Sequence, residues 1–552
     1  VEGTAGAPRY ALWGALFAAL TLVPGLGAGT LWDNSETAYG EVAREVLIYR
    51  DPVVMHLNGQ PWFVQPPLYF WVAALFAKIF GTSEFALRLP SALATIAIVA
   101  GVGYGVARVR GGRASIFSSL VASTMLINVI VGRLAIMDAM LDAAIAAAIA
   151  GTYAALRGSS IAWWYLAWAA AGLGSLTKGP VAIVVPLLVL APWAWWESRT
   201  QRLAVPARIH WIAGAIVLLA IVAPWFIALT ATAGFPALAT MLGHYTFGRY
   251  VGTIENQAGP VWYYLPVLVL GAFPWFAFLP PAVLGAWTAA RRPAGDLERL
   301  TLVWIAVPFV FFSFAQTKLP NYVALEFPAL AVLVGLWFDA IPHALRRRSA
   351  MLWAMLVPLS LAVLSIAIIL FSRDNRLSSD LAAVRPLLAQ LGAAIFAGWA
   401  VMLVLLARKK TSAYAPYPLA AASFVAFAVL GVVGLPLAEK FKPIPPLAAI
   451  IRDHHREGDL VAIQGVRGGN ALLFYTRPRV YALAEPGQTA NDESGDARAA
   501  ICGAPRAFVV TSAKRPDVDP TYGRARRELA RSGNDVLYLY DGPHCSPKGA
   551  AS

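Results

Sequence analysis

Charge is scarce in this sequence. Asp, Glu, Lys and Arg make up 13% of the 552 residues, whereas 59% are hydrophobic; a soluble domain carries about 25% charged residues. One hydrophobic core stops growing at roughly 250–300 residues, so the apolar excess cannot all be core, and lipid must solvate much of the chain. Cysteine is rarer still: Cys502 and Cys545 are the only two. That excludes a CxxC-type metal site and a disulfide-rich scaffold, while a single bridge and two free thiols stay open as alternatives. No Walker loop and no GxGxxG ahead of a strand occurs, so a soluble nucleotide donor bound in the cytoplasm is not expected. Acidic residues are outnumbered 30 to 44, for a formal charge of +14. The surplus flanks apolar stretches, where cytoplasmic loops collect Lys and Arg, and no nucleic-acid-binding motif accompanies it. A nucleic-acid partner is therefore not expected.

What the chain has in abundance is long apolar stretches. A bilayer crossing needs about twenty apolar residues. Thirteen stretches qualify, near 10–28, 90–107, 114–132, 139–156, 161–176, 180–196, 210–229, 262–287, 300–316, 322–341, 350–371, 386–407 and 415–436. Nineteen Trp and nineteen Tyr suit the aromatic belts of membrane interfaces. Basic residues then sort the loops. Arg108, Arg110 and Arg113, then Arg157, then Arg199, Arg202 and Arg208 fall in every second one. Arg291 and Arg292, Arg346, Arg347 and Arg348, and Arg408, Lys409 and Lys410 continue the alternation. Those loops and the N-terminus are read as cytoplasmic, and an odd number of spans puts the C-terminus outside. Stretch 10–28 is read as a retained span rather than a signal peptide.

Stretch 66–81, PPLYFWVAALFAKIFG, would reverse this parity if it crossed. It is short, opens with Pro66 and Pro67 and contains Lys78, so it is expected to lie at the interface, as is an amphipathic helix over 36–49. The fold class is therefore mainly α. A polytopic membrane domain of about 13 transmembrane helices is expected over 1–438, with a first external loop (29–89) holding two interfacial helices and a second over 230–261. A small external α/β domain is expected over 439–552, from the β-rich runs LVAIQGV, ALLFYTRPRVYAL, AFVVTSA and DVLYLYDG with helical stretches such as 445–456 between them. Its GVRGGN is read as a plain turn.

The external face gathers the chemistry. An ionisable group costs about 2.5–3.5 kcal/mol at the bilayer centre on insertion scales, so those near spans are functional candidates. The topology puts Asp33, Glu36, Asp138, Lys178, Arg249 and Lys318 on one face. Asp33, in LWDNSETAYGEVARE, either caps the following helix or accepts a proton from, or orients, an incoming nucleophile. Glu36 is the second candidate, with a first-turn helix acid as the alternative. Asp138 and Asp142 stand four apart in MDAMLDAA, and two carboxylates on one helical face repel unless a cation or a proton intervenes. Asp138, at the helix mouth, is the functional member, with Arg133 as a partner; Asp142, deeper, is expected to bond inside the bundle. Lys178 in SLTKGP, Arg249 in FGRY and Lys318 in TKLPNY singly suit lipid anchoring. Together, beside carboxylates, they point to a pocket for a phosphorylated lipid, with Tyr322 on the rim of Lys318.

The ordered stretches ETAYGEVARE, QPPLYFW, RLPSALA, RLAIMDAML, LTKGP, HYTFGRY, PVWYYLP and FFSFAQTKLPNY, spread over about residues 10–340, resemble the lipid-dependent glycosyltransferases of the GT-C fold. The resemblance is to the bacterial branch containing protein O-mannosyltransferases and lipid A aminoarabinose (4-amino-4-deoxy-L-arabinose) transferases. It implies a multi-pass enzyme of the bacterial inner membrane, with its active site and C-terminal domain on the periplasmic side. Its donor would be a polyprenyl-phosphate sugar, its acceptor lipid A, a glycan or a protein, and the reaction an inverting displacement. Asp33, Glu36 and Asp138 would serve catalysis; Tyr39, Gln65, Lys178, Arg249, Lys318 and Tyr322 would bind the lipid phosphate and sugar. Three positions depart from the pattern. With Tyr39 aligned to the family's tyrosine, its Asp-Glu pair falls on Ser35 and Glu36, and the nearest Asp is Asp33, two positions early; Gln65 replaces the lysine before the proline pair, and Gln257 replaces a histidine. The resemblance fixes no cofactor and leaves a divalent metal open. The alternatives are a catalytically silent relative, and a lipid or ion transporter or flippase, which would show inverted repeats and ionisable groups at the bilayer midplane.

Overall fold

The computed structural model describes residues 6–32, 34–253, 257–341, 344–356, 358, 377–466, 468–483, 500–501, 503–513 and 525–541. Asp33, Cys502 and Cys545 lie outside these residues, and with the two cysteines the question of their pairing. The chain divides into two compact units, one of Val1–Ala28, Pro52–Val54 and Phe63–Leu437, the other of Gly29–Asp51, Met55–Trp62 and Ala438–Ser552.

The first unit is helical. Among the described residues eight helices are long and apolar enough to cross a bilayer, and ten if each of two bent pairs counts as one span. The bent pairs are Gly112–Thr124 with Leu126–Arg133, at 59°, and Val261–Gly271 with Phe276–Ala290, at 111°. Thirteen is not reached: the helices at the first and fifth apolar stretches, Ala7–Leu22 and Ala162–Lys178, have 16 and 17 residues, and most of 350–371 falls outside the described residues. Leu68–Phe80, a helix of 13 residues, is ~20 Å long against a hydrocarbon core of ~30 Å, too short to cross upright. The segment 230–261 is less of a loop than its sequence implies. A break at Gly234, whose φ of 78° lies in the left-handed region, is followed by helical turns that continue through Thr240–Phe247 to Gly248–Val251.

The helix Asp138–Leu156 separates two polar ends by ~28 Å. Beyond its C-terminus is a buried ionic node. The Tyr153 hydroxyl donates to Asp296 at 2.6 Å, and Arg157 lies 3.2 Å from Asp296 and 3.5 Å from Glu197. Arg299 pairs with Glu197 at 2.7 Å, both side chains fully buried. These Arg-bearing connections belong to the loops read as cytoplasmic. The candidate acid Asp138 begins the same helix at the other end.

The second unit holds a five-stranded sheet. Its strands are β3 (Leu460–Gln464), β4 (Val480–Leu483), β5 (Arg506–Ser512), β6 (Ala525–Ser532) and β7 (Asp535–Asp541), following a short hairpin of β1 (His56–Leu57) and β2 (Gln60–Pro61). The order is β4-β3-β5-β7-β6, with β3 parallel to β4 and β5, and β7 antiparallel to β5 and β6. The helix Ile444–His454 buries Ile444, Leu447, Ala448 and Ile451, a three-and-four spacing that makes one apolar stripe, in the core shared with Val461, Phe508 and Leu537. One run corrects the sequence reading. ALLFYTRPRVYAL is not a β run throughout: Gly469–Thr476 is helical and only Val480–Leu483 pairs as a strand. The β6 strand, ARRELARS, has no apolar alternation to announce it, as suits an edge strand guarded by charge.

Candidate active site

In the membrane unit, Asp138 and Lys178 meet because two antiparallel helices end together. Asp138 opens the helix Asp138–Leu156 and Lys178 closes the helix Ala162–Lys178, so each charge also suits the dipole of its own helix terminus. Gly179, at φ 81°, takes the left-handed turn that a side chain would resist, and Pro180 then leads directly into Val181–Ser198. The TKGP motif thus holds the lysine at the helix mouth. The Lys178 ammonium lies 2.5 Å from the Asp138 carboxylate and 5.1 Å above the ring of Tyr322. Tyr322 therefore accompanies Lys178, whereas Lys318 stands over the ring of Tyr264, 5.8 Å away.

Lys318 is buried and faces the helix Asp296–Phe314, donating to the carbonyls of Ser313 at 2.8 Å and Ala315 at 2.5 Å. A cation on C-terminal carbonyls stabilises a helix end, and two of its three N–H donors serve that purpose. Burial lowers the pKa of its ammonium. The segment bearing Arg249 is fastened to the same connection: the Thr317 N–H donates to the Arg249 carbonyl at 3.1 Å, the Gln316 N–H to Tyr250 at 3.0 Å and the Lys318 N–H to Gln257 at 2.8 Å. Asp138, Lys178 and Tyr322 thus meet in one cluster, and Lys318, four residues before Tyr322, lies on the connection to which the backbone of Arg249 is bonded. An apolar groove of about 450 Å³ lined by Trp262, Leu265, Phe309, Val310 and Phe314 reaches Ser313, whose carbonyl holds Lys318. Gln65 is buried in the same unit.

Two expectations are corrected. Arg133 does not pair with Asp138; its guanidinium donates to the carbonyls of Thr21, Leu22 and Pro24 at 2.9, 3.1 and 2.8 Å, because the helix Ala7–Leu22 leaves its last carbonyls unpaired. Asp142 makes no bond within the bundle: among the described residues it has neither hydrogen bond nor ion pair.

The second unit carries the segment around Asp33. Glu36, in the first turn of Ser35–Tyr49, is buried and accepts the Trp32 N–H at 2.8 Å. Tyr39 meets Trp62 edge to face at 6.3 Å. Residues far along the chain fix the segment. Glu439 accepts the Thr30 N–H at 2.9 Å and its hydroxyl at 2.6 Å, and Lys442 donates to the Thr30 carbonyl at 2.5 Å. Lys442 also lies 4.1 Å above the Trp32 ring, and the Leu31 N–H donates to the Tyr475 hydroxyl at 2.6 Å. Sequence reasoning missed Glu439, Lys442 and Tyr475, since separations of 409 and 444 residues leave no local signal. Tyr475→Phe removes the Leu31 acceptor and is expected to lower stability by about 1 kcal/mol, read from the melting of the purified protein.

The same helix carries Glu41, held by Arg44 at 2.8 Å, and Glu45, which receives the Gly59 N–H at 3.1 and 3.2 Å. Burial, with the like charge of Glu41 adding to it and the Gly59 N–H opposing, pushes Glu45 from 4.5 up to about 7. The folded chain therefore holds a proton there that the unfolded chain releases. Its contribution is present below pH 4.5 and is lost as pH rises through about 7. Glu45→Gln is expected to flatten the fall in stability across that window, as denaturation at successive pH values would reveal.

Among the described residues no group of three His, Cys, Asp or Glu side chains is placed to hold a metal ion. Gln257 offers an amide where an imidazole would suit a transition metal better.

The dolichyl-phosphate-mannose-protein mannosyltransferase family model matches residues 64–227. The undecaprenyl phosphate-alpha-4-amino-4-deoxy-L-arabinose arabinosyl transferase of Erwinia tasmaniensis is 30% identical over 338 residues, 59% of this chain and 59% of that protein. A Proteus mirabilis protein of the same description is 30% identical over 332 residues, 58% of each. The chain thus spans less than two thirds of the length of these relatives. The crystal structure of ArnT from Cupriavidus metallidurans bound to undecaprenyl phosphate superposes with a TM-score of 0.80 at 24% identity, covering 96% of this chain and 97% of that one. An Archaeoglobus fulgidus oligosaccharyltransferase gives 0.51 at 12% identity, covering 92% and 69%.

Proposed function

We propose, for a chain that has the GT-C fold and is related in sequence to the lipid-dependent glycosyltransferases built on it, the transfer of a sugar from a polyprenyl phosphate to an acceptor outside the cytoplasm. The observation that carries this reading is the cluster Asp138, Lys178 and Tyr322, at the opposite end of the helix Asp138–Leu156 from the Arg-rich node, with Lys318 and the backbone of Arg249 on the connection that precedes Tyr322. Thirteen spans, a membrane domain over 1–438 and a periplasmic domain over 439–552 complete the topology. The helices Ala7–Leu22 and Ala162–Lys178, the eight longer ones and the two bent pairs support that number, together with the apolar sequence of 350–371.

The reaction is a single displacement with inversion. The acceptor O–H attacks the anomeric carbon, the bond from that carbon to the phosphate oxygen breaks, and the proton passes to Asp33, with Glu36 as the second candidate. Lys178 and Arg249, with the remaining donor of Lys318, balance the charge that grows on the departing phosphate, where preorganised donors contribute most. Asp138 orients Lys178. Tyr39 and Gln65 complete the sugar and phosphate contacts, and the groove beside Ser313 receives isoprenoid. A phosphate is already a good leaving group, so positioning supplies much of the rate. The acceptor is lipid A, a glycan or a protein.

The test is incubation of the purified protein in lipid nanodiscs with polyprenyl-phosphate sugars and candidate acceptors. Release of polyprenyl phosphate coupled to an inverted glycosidic product is expected. Movement of the lipid across the bilayer without product would replace the proposal with a transporter.

A further inference from the structure

The Arg-rich end of the membrane unit sorts its charges, acids inward and arginines outward. Glu197 turns inward to Arg299 at 2.7 Å and Arg157 at 3.5 Å, and Asp296 and Glu298 are taken by Arg157 at 3.2 Å and Arg110 at 2.5 Å. The arginines near these acids in sequence stay outside. Arg199, Arg202, Arg291 and Arg292 are exposed and belong to no ion pair among the described residues. Two of them are set in place by rings. The Arg199 guanidinium lies 3.8 Å from the centre of the Trp195 ring, and that of Arg291 lies 5.3 Å from the centre of Trp287. Both arginines cap helix C-termini, those of Val181–Ser198 and Leu279–Ala290. The two ends stand side by side: the Trp196 and Trp287 rings meet at 5.9 Å, and the Gln201 amide donates to the Pro293 carbonyl at 2.5 Å. A guanidinium stacked on a ring keeps its N–H edge open, and that planar edge matches a phosphate.

Trp195 and Trp287 remain 61% and 47% exposed despite these stacks. Exposed leucines continue each stripe into the span, Leu188 on the first helix and Leu284 on the second. The positions 188, 195 and 199, and 284, 287 and 291, keep each stripe on one helical face. Leucine, tryptophan and arginine thus follow one another over ~16 Å on the first helix and ~10 Å on the second. That is the order of acyl chain, glycerol and phosphate in a phospholipid. We propose that these helix ends form a binding site for an anionic phospholipid of the leaflet at the Arg-rich end, with its phosphate on Arg199 and Arg291 and an acyl chain along each stripe. A zwitterionic headgroup would bring its own cation against Arg202 and Arg292. The site adjoins the ionic node, at the opposite end of the helix Asp138–Leu156 from Asp138 and Lys178, and does not rest on the transferase reading.

Snorkelling arginines on a basic surface attract anionic lipid through charge alone, whereas stacked, planar pairing requires arginine. The experiment separates the two. The purified full-length protein, stripped of lipid in detergent, is titrated with phosphatidylglycerol and with phosphatidylcholine of the same acyl chains, and retained lipid is counted by native mass spectrometry. A saturable preference for phosphatidylglycerol of about 10- to 100-fold is expected. It should shrink toward unity in the double variant Arg199→Lys, Arg291→Lys, which keeps both charges but loses the planar fork. Trp195→Leu, at an exposed ring, should weaken it as well and carries the same test if the double variant fails to fold. No preference in the natural protein overturns the site. A preference undiminished in the lysine variant also overturns it, since charge alone then accounts for the binding. Glycerol phosphate that competes as strongly as the lipid overturns a phospholipid as the occupant.

Discussion

Asp33→Asn is expected to lower the rate of sugar transfer by roughly 10²–10⁴-fold, the usual contribution of a positioned general base, without lowering the melting temperature. Asparagine has nearly the shape of aspartate but takes no proton from the attacking hydroxyl. The neighbouring backbone argues that shape would survive. Thr30 and Leu31 are held by Glu439, Lys442 and Tyr475, and the Asn34 carbonyl receives the Ala38 N–H at 3.2 Å. Initial rates of polyprenyl phosphate release from the natural protein and the variant decide the matter. Glu36→Gln is the informative partner. Its carboxylate accepts the Trp32 N–H, so its replacement is expected to act through the segment's geometry, with a loss of about 1 kcal/mol in stability and a smaller effect on rate. If Glu36→Gln abolishes transfer and Asp33→Asn leaves it unchanged, the two exchange roles.

The parts of this molecule that were legible in the sequence are those written in local patterns. Apolar stretches located the eight to ten helices that are long enough to cross a bilayer among the described residues, and a motif as short as TKGP located Lys178, because a lysine, a left-handed glycine and a helix-starting proline can be arranged in few ways. The spacing of Asp138 and Asp142 foretold a conflict between like charges, and Lys178 resolves half of it. What the sequence obscured depends on distant contacts. Arg133 stands five residues before Asp138, and proximity made it an obvious partner; the unpaired carbonyls of Thr21, Leu22 and Pro24 compete for it more strongly. Lys318 is expected from sequence as a phosphate-binding cation of the external face, and nothing local announces that two of its donors turn to the end of its preceding helix. The run ALLFYT has the apolar, aromatic composition of a strand, but Gly468 at φ 119° and Gly469 start a helix there. The shared packing of Ser35–Tyr49 and Gly469–Thr476 within one unit explains why a segment next to the first span depends on residues near the chain's other end, which no local pattern records.

Arg299→Met is expected to lower stability by about 3–5 kcal/mol, the cost of leaving a buried ionic partner unmatched. Arg299 is fully buried and does more than neutralise Glu197: it donates to the carbonyls of Ala290, Arg292 and Pro293 at 2.6, 2.8 and 3.1 Å. It also stands in the first turn of Asp296–Phe314, where a cation opposes the helix dipole, so its presence there is explained by its partners rather than by its helix. Removing it leaves Glu197 with Arg157 at 3.5 Å and three carbonyls with one donor fewer. The double variant Glu197→Gln, Arg299→Met is expected to recover part of the loss, because it removes the stranded charge but not the orphaned carbonyls. Thermal melting in a single detergent measures both, and a single variant as stable as the natural protein would show that the node contributes little. The node lies ~28 Å along one helix from Asp138. Transfer per folded molecule should therefore be unchanged in Arg299→Met at temperatures below its melting point, whereas Asp33→Asn should show the reverse, full stability without transfer. Opposite responses in the two variants would separate the groups that hold the helices together from those that act on the sugar.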